Sequence, residues 1–72
     1  MKHTFNGIEY LIVPDTTKDN TPEMEHLRVI GAFSEGSYWQ QVTINPQIRQ
    51  GVDRWADYVC HKCEKAHKRA IK

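Results

Sequence analysis

Apolar and polar positions alternate with two different periods along this chain, and the change of period divides it. Near the start, an Asn6-Gly7 pair lies between apolar flanks. That dipeptide suits a two-residue hairpin turn, because a type I′ turn needs positive φ at both central positions. Beyond it Ile8, Tyr10 and Ile12 alternate with Glu9, Leu11 and Val13, which predicts a well-buried strand ended by Pro14. Residues 14–26 are polar and carry two prolines, as a surface loop does. Thr21 before Pro22 suits a helix start, which leaves room for one short helical turn there. Residues 27–33 and 37–44 are rich in β-branched and aromatic types. A turn at 34–36 joins them, so they are expected to pair as a second hairpin. Gly31 inside its run marks a bulge or a close approach of neighbouring atoms.

From Asn45-Pro46 onward the period becomes helical, with asparagine as N-cap and proline at the first helical position. At ~100° per residue, Ile48, Val52, Trp55, Cys63, Ala66 and Ala70 all fall within about 40° of Val59. That is an apolar stripe. Gly51 costs roughly 1 kcal/mol relative to alanine inside a helix. A glycine there can divide a short turn from a main helix capped by Asp53. The pattern predicts an α+β fold in which a small antiparallel β-sheet of about four strands, made of two hairpins, packs against one long C-terminal α-helix. Residues 1–72 form one small domain, β-rich over 1–45 and helical over 46–72. The pattern leaves open whether the two hairpins join in one sheet.

Length sharpens this picture. A 72-residue chain buries only about 60% of its unfolded surface. Domains below about 70–80 residues often lean on a metal, a disulfide or a partner. Two cysteines cannot build a disulfide framework. The N-terminus lacks the charged start and apolar core of a signal peptide, and no apolar run approaches the length of a membrane span. The expected compartment is the reducing cytoplasm, with both cysteines as thiols. Net charge is +1, but residues 1–45 carry three cations against six anions and residues 46–72 carry seven against three. An acidic first part and a basic tail offer two different faces to partners.

The densest chemistry lies in residues 58–67. Cys60, Cys63 and His67 have spacing i, i+3, i+7 and span about 60° of the helical wheel. They are candidate zinc ligands, with His3 or His26 as the fourth that a closed structural site requires. The competing reading is that the thiols are packed like small apolar side chains. A lone CxxC inside a helical pattern lacks the second pair of a zinc ribbon. It also lacks the helix N-terminus that activates a redox pair. On the wheel Cys63 lies in the apolar stripe, and Cys60 and His67 lie at its edge.

Opposite that stripe are Arg54, His61, Lys65, Lys68 and Lys72, with Lys62 and Arg69 on the flank. Such a face can track phosphates, meet an acidic protein, or simply be solvated. Glu64–Lys68 and Asp57–His61 have the spacing of local ion pairs. Trp55 belongs to the stripe and so to the core. Trp39 points away from Tyr38, Val42 and Ile44. It is either an interface anchor on an open sheet face or covered by the 14–26 loop. An open face that also held Leu11, Val13 and Ile30 would suggest a partner or a homodimer.

No hydrolase elbow, zinc-protease helix, P-loop or dinucleotide fingerprint is present. The expected function is therefore a small non-enzymatic cytoplasmic interaction protein that binds and modulates another protein. Bacterial or phage accessory and inhibitor proteins are often of this size. The candidate partner-binding residues are Trp39, Arg54, His61, Lys65, Lys68 and Lys72. The alternatives are a nucleic-acid-binding module using the basic helix face, and a zinc-stapled structural module through Cys60, Cys63 and His67.

Overall fold

The computed structural model describes residues 1–49 and 54–71. Four strands, β1 (Lys2–Phe5), β2 (Ile8–Pro14), β3 (Glu25–Phe33) and β4 (Gly36–Ile44), form one antiparallel sheet in the order β1-β2-β3-β4. One helix, α1 (Arg54–Ala70), lies across one face of the sheet. This is the α+β architecture that the change of period predicts, and the two hairpins do join in a single meander.

Turn chemistry fixes the register. Asn6 has φ 52° and Gly7 φ 77°, so both central turn residues are left-handed, as the Asn-Gly pair predicts. Phe5 then pairs with Ile8. In the second hairpin only Ser34 and Glu35 lie between the paired Phe33 and Gly36, a tighter turn than the three residues expected. Gly31 forms no bulge, since it pairs with Tyr10 on one side and Tyr38 on the other. Its role is the close approach. A Cβ there would lie 2.5 Å from a carbon of the Phe33 ring and 2.8 Å from one of Tyr10.

The core lies between the helix and the inner face of the sheet. Tyr10, Ile12, Leu27, Val29, Val42 and Ile44 supply the sheet side, and Trp55, Ala56, Val59, Cys60 and Cys63 the helix side. Strand β2 is one-sided rather than buried throughout, because Leu11 emerges on the outer face.

The segment after Pro22 does not turn into helix. Thr21 and Met24 exchange backbone hydrogen bonds, the Thr21 hydroxyl accepts the Met24 N–H at 3.0 Å, and Asn20 Oδ1 accepts the His26 N–H. These bonds close a tight turn that feeds β3, which starts at Glu25 instead of residue 27. Asn45 does act as a cap, its Oδ1 accepting the Gln47 N–H at 2.9 Å, but Pro46–Arg49 is a single 3₁₀ turn. The tighter winding takes Ile48 out of the stripe and leaves it exposed. Ala70 is exposed as well, and the buried arc is rotated to include Ala56, Cys60 and His67. The expected break at Gly51, the Asp53 cap and the stripe position Val52 lie outside the described residues, as does Lys72.

Candidate interaction surfaces

A sheet with one helix has one face left over. Cross-strand neighbours Lys2, Leu11, Ile30 and Trp39 form one row of that outer face, and Val13, Arg28 and Gln41 the next. Trp39 is 52% exposed and Leu11 39%, and Val13 and Ile30 are half-buried beside them. The 14–26 loop therefore leaves the indole open. The Arg28 guanidinium lies 4.4 Å from the centre of the Trp39 ring, a cation–π contact. An Nη of Arg28 is also 3.8 Å from the Asp15 carboxylate. Asp15 is held in turn by the Thr17 hydroxyl at 2.6 Å and the Thr17 N–H at 3.1 Å. These hydrogen bonds, with smaller help from Arg28, keep its carboxyl below the usual range and so charged. The result is a chain of contacts, Thr17 to Asp15 to Arg28 to Trp39, that orients an exposed indole before anything binds it.

The other predicted partner residues that the structure describes lie on the opposite side of the molecule. Arg54, His61, Lys65 and Lys68 are exposed on the outer surface of α1. Trp39 and this basic face cannot meet one small ligand. Lys68 makes the expected i, i+4 contact with Glu64 at 3.6 Å. The expected Asp57–His61 pair does not form. Asp57 instead accepts His3 at 2.7 Å, and His61 packs edge-on against Phe5. Strand β1 draws the acidic side of the helix toward itself, with Asn6 reaching Glu64 as well.

The other side of the helix is cationic, and periodicity alone assigns it no partner element. Tyr58, Lys62, Lys65 and Arg69 face four successive residues of β4, Gln40 to Thr43, across a groove of about 290 Å³. The strand order was the missing information. On the wheel Lys62 and Arg69 lie on the flank of the stripe and Lys65 lies opposite it, and that placement alone does not show that β4 is the strand beside them.

The cysteine cluster is interior. Cys60 and Cys63 are both 0% exposed. Burial pushes the Cys60 thiol up to about 12 and the Cys63 thiol to about 11, the opposite of an activated thiolate. Cys63 Sγ lies 3.5 Å from the Val29 carbonyl oxygen, as a weak S–H donor would. His67 is buried too, its ring stacked on Phe33 at 3.8 Å between centroids and met edge-on by Tyr38 at 5.5 Å. Of the candidate fourth ligands, His3 is engaged by Asp57. His26 bonds Thr43 and Gln41, whose side chains lie on the outer face. Among the described residues no three histidine, cysteine or carboxylate side chains converge as metal ligands. No described helix is long and apolar enough to cross a membrane.

Compared with family models, curated proteins and solved structures, the chain matches none.

Proposed function

We propose that this chain is a small non-enzymatic interaction module of the cytoplasm that binds another protein through the outer face of its sheet. The observation that carries this reading is the half-exposed Trp39, pre-oriented by Arg28 and flanked by Leu11, Val13 and Ile30. Rigid, partly desolvated aromatic anchors dominate protein interfaces. Cys60 and Cys63 serve as core side chains in this reading, and bound zinc has no part in it.

The test is site-specific photo-crosslinking. A benzophenone amino acid at position 11, beside the intact Trp39 and irradiated in a lysate of the source cells, is expected to yield adducts destroyed by protease and untouched by nuclease. Adducts that form only from position 65 and disappear with nuclease would reject it in favour of nucleic acid. That second reading is favoured by the exposed Arg54, Lys65 and Lys68 and requires affinity that falls steeply with salt. Adducts of twice the chain mass would show a homodimer across the same face.

A further inference from the structure

Strand β4 is an edge with no further strand paired to it among the described residues. Natural sheets blunt their edges by shortness, lysine, proline or a covering element. The opposite edge follows that rule, for β1 has four residues and carries Lys2. Strand β4 has nine, Gly-Ser-Tyr-Trp-Gln-Gln-Val-Thr-Ile, with neither a charge nor a proline. Antiparallel pairing alternates residues bonded to the neighbouring strand with residues whose N–H and C=O point away. The two-residue turn makes Phe33–Gly36 the first bonded pair. Ser37, Trp39, Gln41 and Thr43 therefore direct their backbone groups out of the sheet. The Gln41 carbonyl shows this directly, taking up the Gln40 side-chain amide at 3.4 Å.

This edge borders the cationic groove. Lys62, Lys65 and Arg69 stand along it, and none of the three forms an ion pair among the described residues. The helix carboxylates Asp57 and Glu64 are turned toward β1 and its hairpin. A second copy is a poor occupant. Antiparallel β4–β4 pairing about a two-fold axis would set both helices on the same side and their cations face to face.

We infer that the β4 edge and its groove take an extended acidic segment of a partner protein, added to the sheet as a fifth strand. Strand addition supplies main-chain hydrogen bonds, and alternate side chains supply specificity. Residues of the added strand that face the helix meet Lys62, Lys65 and Arg69. Those between them continue the apolar row Leu11–Ile30–Trp39. The recognised pattern is an acidic residue at every second position with apolar residues between. This rests on the protein-binding reading but adds a surface which that reading does not need.

The probe is a capped nine-residue peptide alternating Glu and Val, titrated into ¹⁵N-labelled protein. Saturable shifts are expected at Trp39, Gln41 and Thr43, with amide exchange at those positions slowed at least tenfold. The double variant K62E/K65E should weaken binding at least tenfold while keeping the native spectrum. A probe N-methylated at alternate residues should also bind at least tenfold more weakly. Equal binding of a Lys-Val peptide, or unchanged exchange along β4 at saturation, would overturn the inference. Displacement of the probe by a fifteen-residue oligothymidylate that binds more tightly would overturn it in favour of a nucleic acid. Protease-sensitive adducts from position 11 alongside a negative probe titration would reject strand addition alone. Absence of those adducts would reject the wider reading.

Discussion

At the scale of single residues, the core holds polar atoms whose burial has consequences. The Tyr10 hydroxyl is buried and has no hydrogen-bond partner among the described residues. Burial first, and Glu64 second, push its pKa upward. An unsatisfied buried polar group costs about 1–3 kcal/mol. Tyr10→Phe keeps the ring and its edge contact with Phe33, so it is expected to stabilise the fold by roughly 1 kcal/mol, read as a higher urea midpoint at unchanged slope. The two thiols act through pH. Because their folded-state pKa values are raised, the native chain keeps protons that the unfolded chain has lost. Their contribution is complete below about pH 9 and declines from there to about pH 11–12, as the thiols of the folded state themselves ionise. The urea midpoint should hold steady from neutrality to about pH 8.5 and then fall, with the Cys60→Ala/Cys63→Ala variant falling less. A thiol reagent should label neither cysteine until the protein unfolds. A midpoint at pH 7.5 lowered by a chelator would contradict the packed-thiol reading and restore the zinc clasp.

At the scale of elements, packing decided what periodicity left open. Gly31 sits mid-strand where a side chain would collide with two aromatic rings. Gly31→Ala is expected to cost about 1–3 kcal/mol, the range for overpacking, measured by thermal or urea unfolding. A cost near zero would mean that the rings move aside freely. The sequence showed the glycine and could not show the rings, because Tyr10 comes from another strand. The same reason explains most differences between pattern and structure. Asn6-Gly7 was legible because turn chemistry is local, and Asn45-Pro46 marked a boundary for the same reason. The buried arc of α1 was legible to within a modest rotation. Its centre moved toward Cys60 and His67, both buried against the sheet. The partner of Asp57 was not legible, since His3 is 54 residues away and only the folded sheet brings them together. The cationic groove was invisible for the same reason, although each of its charges was plain.

At the scale of the molecule, the chain is a two-sided object. One side shows a helix whose cations lie toward its β4 edge and crest. The other shows a sheet face crossed by the apolar row Leu11–Ile30–Trp39, which ends in the tryptophan on the edge strand β4. If that face is for recognition, its loss should leave folding intact. Trp39→Ser removes no core contact, so stability is expected to change by less than about 1 kcal/mol. Partner affinity should fall by at least about 2 kcal/mol, roughly thirtyfold. A collapse of the fold in that variant would instead make Trp39 a structural residue. The two indoles also differ in a way that can be used. Trp55 is 8% exposed and Trp39 52%. Iodide should therefore quench one emission and spare the other, and the sheltered indole should emit at shorter wavelength. The quenchable component reports on whether the outer face is occupied, and the protected one on whether the chain is folded. The protein thus carries an unlabelled optical readout in which docking and denaturation give separable signals.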